Sequence, residues 1–284
     1  MIILIEMGNP DLYKIRKAHM SKDVYDLSQG WNRLAAELLY ATVPGGSPAE
    51  ELTFYEHRIR ANEGIALDQA CGTGRHLFPL LARGLEVHGA DISGDALHFA
   101  RKEAETQKVH PTLYHQRMEE CNIPHEYGTI YVANGTFQII TNRDQVLATL
   151  QRFRHHLVSG GQLLIEIFVP WEVTSGPTVN DIDHPTRWNP ISRREAEGEI
   201  VTTHWSESVD LFEQVLLSKR RYDLYIDGKC VRSEVHAHPL RWYFHYEFVM
   251  MLECAGFEDI TTYGDYTDDS ATQESKTVVY GARR

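Results

Sequence analysis

Cysteine is scarce in this sequence of 284 residues, and the four that are present form no C-x-x-C pair. Their wide spacing favours free thiols in a reducing compartment over a disulfide framework, and we expect each to act as a small buried hydrophobe.

Long apolar runs are missing too. None approaches the roughly 20 residues of a membrane-spanning helix, and the initial MIILI is followed at once by Glu6. We therefore expect a cytoplasmic, soluble protein.

Positive charge is also in deficit. The sequence has 28 Lys and Arg against 40 Asp and Glu, for a formal net charge of −12 at pH 7. Such a field repels nucleic-acid phosphates and anionic membranes, so we expect neither as a partner and favour small or cationic ligands. No internal repeat or low-complexity tract is visible. The length suits one large domain or one domain with a sizeable insertion. Whether the protein forms a homodimer stays an open question.

The sequence does contain a regular alternation of short apolar strands and amphipathic helices. Strands are predicted at 65–69, 85–91, 112–116, 129–133 and 162–168. Helices are predicted at 75–83, from a cap at Ser93 to about 107, and from about 146 to 157. Ser47 is predicted to cap an earlier helix, with Pro48 as its first residue and Glu50 completing a capping box. The alternation predicts an α/β protein with a doubly wound, mostly parallel sheet that binds ligands at the carboxyl ends of its strands.

This alternation is interrupted after residue 170. Residues 171–198 are rich in Pro, Asn, Asp and Ser, and long alternating segments follow to residue 238. Asp227-Gly228 predicts a tight hairpin with positive φ at both central positions. We interpret 171–238 as an antiparallel β insertion that forms a lid over the substrate. A helix at 246–255 and strands at 257–263 and 276–281 then complete a seven-stranded sheet.

The stretch LDQACGTGRH, residues 67–76, indicates a ligand site in the first strand-to-helix turn. Glycine there lets a ligand approach the backbone, although such turns also serve tight packing alone. Asp91 ends the next strand, where a ribose-binding carboxylate belongs in this topology, with helix capping as its alternative role. Leu77 replaces the third glycine of a dinucleotide motif, and Asp68 would repel a pyrophosphate. The pattern therefore favours a nucleoside ligand with a cationic or zwitterionic tail over NAD or FAD.

These motifs resemble those of the class I S-adenosylmethionine-dependent methyltransferases. The resemblance rests on LDQACGTGRH at 67–76 and VHGADIS at 87–93, and it continues in QRM at 116–118, ANGTFQII at 133–140 and GGQLLIEIF at 160–168. It extends from YDLSQGW at 25–31 to AGFEDITTYGDY at 255–266. It implies a Rossmann-like domain formed by 1–170 and 239–284, whose N-terminal helices within 1–64 close over the cofactor, with 171–238 as the inserted lid.

The resemblance also implies roles for individual residues. S-adenosylmethionine, released as S-adenosylhomocysteine, would be bound by Tyr25, Trp31, Ala70, Gly72, Gly74, Asp91, Ile92, Met118 and Asn134. Met118 would lie against adenine, with core packing as the alternative. Arg117 stands where relatives carry an aspartate for the adenine amino group, and Glu119 is a substitute for it.

The insertion and the YDL segment look most like the small-molecule branch that includes sugar N,N-dimethyltransferases and glycine N-methyltransferases. This implies methyl transfer to a small-molecule acceptor, with an amine nitrogen as the first hypothesis. The alternatives are O-methylation of a hydroxyl or carboxylate, and a non-catalytic cofactor-binding regulator. Gln138, Arg241 and Tyr243 are predicted to line the acceptor pocket. The base, if one is used, stays open among His204, His238, His245 and Tyr243, so no catalytic residue is assigned.

No metal is expected. Glu234, His236 and His238 share one face of a predicted strand and could form a two-histidine, one-carboxylate site. Since the chain has 15 histidines, we favour a solvent-facing strand for them instead.

Overall fold

A computed structural model describes residues 33–40, 47–168, 189–196 and 199–284 of the chain. The described residues form a seven-stranded sheet flanked by helices and a second, four-stranded sheet. The helices are α1 Arg33–Tyr40, α2 Ala49–Arg60, α3 Leu77–Ala82, α4 Gly94–Gln107, α5 Arg143–His156 and α6 His245–Cys254. The larger sheet contains β1 Ala66–Gln69, β2 Val87–Asp91, β3 Leu113–His115, β4 Tyr127–Val132, β5 Leu157–Ile167, β10 Glu258–Gly264 and β11 Val278–Arg283.

The order of the larger sheet is β10-β11-β5-β4-β1-β2-β3. Strands β1 to β5 run parallel, whereas β11 is antiparallel to both of its neighbours. The chain starts in the centre and winds outward in both directions, so the strand order reverses at β1 and β4. The predicted doubly wound, Rossmann-like α/β fold is confirmed.

Two apolar layers cover the faces of this sheet. Because successive side chains of a strand point to opposite faces, Ile130 packs in the layer of α5 and α6, and its neighbour Tyr131 packs in the layer of α2 and α3. Both layers are buried, which explains why apolar residues of the central strands occur on both faces rather than only at alternate positions. The polar residues that do occur in these strands are therefore informative.

The second sheet is antiparallel, in the order β6-β7-β8-β9. Its strands are β6 Asn189–Ala196, β7 Glu199–Asp210, β8 Val215–Ile226 and β9 Lys229–Arg241. It lies in the chain between β5 and α6, as predicted for the insertion. Asp227 and Gly228 connect β8 to β9 with φ of +49° and +73°, the positive values that the hairpin prediction required. Strand β9 continues past the predicted bound at 238 to Arg241. The predicted domain boundaries stay predictions, and 169–188 lies outside the described residues.

Several local predictions need correction. Ser93 caps α4 by accepting from the Ala96 backbone N–H, but Ser47 does not cap α2. That helix begins after Pro48 without a side-chain cap, and the Ser47 hydroxyl is buried without a partner among the described residues. Helix α5 ends at His156, within one residue of the predicted end, but β5 begins directly at Leu157 instead of at 162 and contains both glycines.

The cysteine prediction holds in part. All four thiols are free, but only Cys71 and Cys121 are buried, whereas Cys230 and Cys254 are exposed. The prediction that each packs as a buried hydrophobe is wrong for the last two, because β9 and α6 present these positions to solvent. No described helix has the length and apolar character needed to cross a membrane.

Candidate functional site

The turn from β1 to α3 leaves open space beside its backbone. Gly72 has φ of +56°, and a Cβ added there would meet no atom within 4 Å. Gly74 has φ of +94°, but its Cβ would lie 2.2 Å from the Phe78 ring. The first glycine therefore opens a surface to a ligand, and the second allows the helix to pack. Ala70 also adopts positive φ, +67°, a strained conformation of the kind found at ligand sites.

Asp91 fixes this turn from the end of β2. Its Oδ2 accepts from the Gly72 backbone N–H at 2.8 Å, and its Oδ1 accepts from the Ser93 N–H at 2.7 Å. The side chain is 5% exposed. Burial raises the pKa of the Asp91 carboxyl, and the two amide hydrogen bonds oppose that rise. Each oxygen retains a lone pair for a further donor, so Asp91 serves the local backbone and is also able to bind a diol.

Two acceptors lie buried beneath the turn. One carboxylate oxygen of Asp68 and the side-chain oxygen of Gln69 have no hydrogen-bond partner among the described residues. Asp68 is 2% exposed, and burial raises its pKa to about 6, against the opposing influence of His76. Orphaned buried acceptors are costly unless a ligand satisfies them. A cationic ligand group that donates hydrogen bonds would satisfy Asp68, and the open backbone at Gly72 leaves space for such a ligand. The turn therefore fits S-adenosylmethionine.

Asn134, at the end of β4, is positioned by a buried carboxylate. Its backbone N–H donates to Glu166 Oε2 at 2.8 Å, and the Tyr266 hydroxyl donates to the same oxygen at 3.0 Å. Asn134 adopts φ of +57°, and its side-chain oxygen accepts from Arg75 at 2.5 Å. Burial raises the pKa of Glu166, with these hydrogen bonds opposing it. The contacts turn the β4 end toward the glycine turn.

Helix α2 supplies the other anchor of Arg75. Glu51 accepts from Arg75 at 3.3 Å and lies 2.6 Å from the His76 ring nitrogen Nε2. Sequence reasoning missed Glu51, Arg75, Glu166 and Tyr266. The sequence did point to Glu166, since a lone carboxylate inside the apolar run LLIEIF needs hydrogen-bond partners when the strand is buried. The others became visible only when the chain brought distant segments together.

The remaining predicted cofactor residues fall into three groups. Ile92 follows Asp91, and its carbonyl lies 2.8 Å from His115 Nε2. Met118 begins a short 3-10 turn after β3 and packs partly buried against the core, while Arg117 pairs with Glu119 at 2.7 Å. Tyr25 and Trp31 lie outside the described residues. The structure thus brings the turn from β1 to α3, Asp91 and Asn134 together at the carboxyl edge of the larger sheet. The cofactor roles of all these residues stay predictions.

Gln138 and Arg241 do come together at the junction of the two sheets, whereas Tyr243 is buried in the core and its hydroxyl donates to the Ile140 carbonyl at 3.5 Å. The Gln138 amide donates to the carbonyls of Phe168 and Arg241 at 2.8 and 3.0 Å, and its oxygen accepts from the Phe168 N–H at 2.7 Å. Arg241 donates to the Thr141 carbonyl at 2.7 Å. Arg241 is the last residue of β9, and α6 begins four residues later at His245. These contacts tie the lid to the end of β5, and the acceptor-binding roles stay predictions.

Glu234, His236 and His238 share a face of β9, but the preferred interpretation of a solvent-facing strand is wrong. His236 is only 7% exposed, and burial lowers the pKa of His236 to about 4 and that of His238 to about 3. Glu234 accepts from the Leu34 N–H of α1 at 3.0 Å. Among the described residues, no group of His, Cys, Asp and Glu has an arrangement that could hold a metal ion.

Comparisons with known proteins agree with this geometry. Residues 66–161 match the family described as "Methyltransferase domain". The dTDP-3-amino-3,6-dideoxy-alpha-D-glucopyranose N,N-dimethyltransferase of Streptomyces fradiae is 26% identical over 159 residues, 52% of this chain and 61% of that protein.

Two solved structures share the fold. The sugar N-methyltransferase KedS8 from Streptoalloteichus superposes with a TM-score of 0.69 at 19% identity, over 93% of this chain and 97% of the other. An S-adenosylmethionine-dependent methyltransferase from Clostridium acetobutylicum gives a TM-score of 0.68 at 16% identity, over 87% and 96%.

Proposed function

Because this chain is a class I S-adenosylmethionine-dependent methyltransferase, we propose that it methylates an amine nitrogen of a small acceptor, an amino sugar. The observation that carries methyl transfer is the pairing of the open Gly72 turn with buried Asp91 and Asp68. The amine acceptor is supported by the similarity to the Streptomyces fradiae N,N-dimethyltransferase and to the sugar N-methyltransferase KedS8.

In this proposal, the protein contributes to methyl transfer mainly by binding S-adenosylmethionine and the acceptor and by aligning them. When bound, S-adenosylmethionine supplies a methyl group on a cationic sulfur. Asp91 would accept hydrogen bonds from ribose hydroxyls, and the Gly72 turn would lie against the amino-acid tail. Asp68 would balance the charge of that tail's ammonium. Holding donor and acceptor in line and excluding water accounts for much of the rate gain in such a transfer.

The carboxylates also favour a cationic ligand. Asp68, Asp91 and Glu166 are all buried near the carboxyl ends of β1, β2 and β5, and burial raises the pKa of each. A buried carboxylate is stabilised in its ionised form by a nearby positive charge. Binding of a sulfonium ligand with an ammonium tail would therefore relieve a cost that the free protein carries.

Nucleic acid is disfavoured as an acceptor. Asn134 is followed by Gly135-Thr136, whereas enzymes that methylate nucleobase amino groups place a Pro-Pro-aromatic run there. The net charge of −12 adds a repulsive field. We propose instead that the insertion, which joins the body at the Gln138 junction, carries acceptor selectivity.

A turnover assay tests this function. Purified protein and S-adenosylmethionine are incubated separately with dTDP-3-amino-3,6-dideoxy-α-D-glucopyranose, with its 3-hydroxy counterpart and with glycine. Formation of S-adenosylhomocysteine is followed, and products are identified by mass spectrometry. We expect N-methylated sugar. Methylation of the 3-hydroxy sugar in preference to the amine would overturn the proposal in favour of an O-methyltransferase.

A further inference from the structure

The four-stranded sheet has two distinguishable faces. We call inner the face on which Tyr222 and Leu224 of β8 pack against Leu34 and Ala35 of α1. Side chains paired across an antiparallel sheet share a face, so the register extends the inner face onto β7 and β9. Val235 lies on the opposite, outer face and is 39% exposed.

The middle of the inner face is polar where packing alone would require apolar side chains. Ser218 is paired with Glu207 on one side and His238 on the other. Its hydroxyl donates to Glu207 Oε1 at 3.2 Å. In the next row along, Arg220 is paired with His236, whose ring lies edge-on to His238 with centroids 4.1 Å apart. A half-buried surface of hydrogen-bonding groups at this position fits a polar ligand better than a packing interface.

Two anchors locate this polar patch relative to the cofactor turn. At one end, Glu234 of β9 accepts from Leu34 of α1. The same helix packs through Ala36 on Ala96 and Phe99 at the start of α4, directly after β2.

At the other end, the Arg241 carbonyl accepts from Gln138, which follows β4. The strand order places β1 between β4 and β2. The two anchors thus lie on either side of β1 in the strand order, and the part of β9 between them contains His236 and His238.

We propose that Glu207, Ser218 and His238 form the acceptor-binding wall of the active site, with Glu207 taking the amine proton and His238 and Ser218 binding the amine and an adjacent hydroxyl. This assignment rests on the proposed amine methylation. The nitrogen lone pair forms the new N–C bond as the C–S bond breaks, and that electron pair stays on sulfur. The proton lost from nitrogen passes to the Glu207 carboxylate.

The electrostatics of the wall suit these roles. Burial raises the pKa of Glu207, with Ser218 and Arg220 opposing, which makes its carboxylate a stronger base than an exposed glutamate. His238 has a pKa of about 3, so its ring stays neutral and able to accept a hydrogen bond beside a cationic donor. The other candidate bases are engaged elsewhere. His204 lies beside Asp223 on the outer face, His245 lies beside Tyr280, and the Tyr243 hydroxyl contacts the Ile140 carbonyl.

The test compares Glu207→Gln, Glu207→Asp and His238→Phe with the outer-face control Val235→Thr. The assay uses whichever acceptor the unmodified protein methylates, and cofactor affinity is measured by calorimetry. We expect Glu207→Gln to lower kcat by about 10²-fold, with partial recovery in Glu207→Asp. His238→Phe should raise the acceptor KM by about tenfold. Val235→Thr should match the unmodified protein, and cofactor affinity should stay within about twofold throughout.

The outcomes separate this inference from the proposed function. Methylation of a hydroxyl instead of an amine would overturn the proposed function, while the wall would still be tested through KM for that acceptor. Unchanged kinetics in both Glu207→Gln and His238→Phe would overturn the wall, as would a loss of cofactor affinity equal to the loss of acceptor binding. Ser218→Ala, which removes one hydroxyl, provides a milder variant should either substitution unfold the sheet.

Discussion

The two glycines of the β1 turn have different physical reasons to be glycine, and a matched pair of substitutions separates them. Gly72→Ala places a methyl group in open space at φ of +56°, so it should cost about 1–2 kcal/mol of stability while blocking cofactor binding. Gly74→Ala should cost about 1–3 kcal/mol more, because its Cβ meets the Phe78 ring. Thermal unfolding and calorimetry measure the two effects. Equal loss of stability in both variants would contradict this division.

Asp91 is the residue whose loss should affect the cofactor most. Asp91→Ala should remove the two charge-assisted hydrogen bonds that we propose to the ribose, about 1.5–3 kcal/mol each, and it also removes the acceptors for the N–H groups of Gly72 and Ser93. We expect the Kd for S-adenosylmethionine to rise by at least ~100-fold in calorimetry. Circular dichroism establishes that the variant is folded. An unchanged Kd in folded protein would remove Asp91 from the site.

Asp68 should make cofactor binding depend on pH. Its pKa of about 6 lies above the ordinary value of 3.8, so the carboxyl is neutral at pH 5 and ionised at pH 7. Affinity for a cationic ligand should therefore rise with pH through about 6. The free energy of unfolding of the cofactor-free protein should decrease as the pH rises from 3.8 to about 6, because the folded state disfavours the ionised form of Asp68. Calorimetric titrations between pH 5 and 7 test the binding effect. Asp68→Asn should flatten the profile, and a profile identical to that of the unmodified protein would exclude Asp68 as its source.

At the scale of elements, helix α1 links the lid to the body. It packs on the inner face through Leu34 and Ala35 and on α4 through Ala36, and Glu234 accepts from its first turn. A carboxylate at a helix N-terminus satisfies an orphan N–H and complements the helix dipole.

Glu234→Ala should therefore loosen α1 by about 0.5–2 kcal/mol. Hydrogen exchange monitored by mass spectrometry should show faster exchange in residues 33–40 than in the unmodified protein. Helix α5, capped independently by Asn142, serves as the internal reference. Equal acceleration in both helices would indicate general destabilisation instead of a local link.

At the scale of the whole molecule, we predict that activity needs no metal. In-line methyl transfer from a sulfonium requires alignment more than Lewis-acid chemistry, and His238 is assigned to the acceptor wall. Activity should therefore survive exhaustive dialysis against a chelator. Metal analysis of the dialysed protein provides the control. Loss of turnover that zinc or magnesium restores would contradict the prediction and would redirect attention to the β9 histidines.

The sequence was most informative where local chemistry and fold agree. The β1 turn, the position of Asp91 at the end of β2, the Ser93 cap and the Asp227-Gly228 hairpin were all predictable, because each depends on residues within a few positions of one another. Ser47 failed as a cap for the opposite reason. Its hydroxyl is buried by tertiary packing, which overrides a local preference.

The amino-acid sequence by itself determined the strand and helix alternation, the glycine turn and the place of Asp91 at the end of β2, since periodicity and turn chemistry are short-range properties. Only the tertiary structure decided that Glu166 and Tyr266 hold Asn134, that Gln138 ties the lid to β5, and that His236 and His238 face inward. These contacts join residues far apart in the chain, and the two-residue period of a strand does not say which face will be buried. That choice is made by what packs against the strand, here helix α1 and the body of the domain.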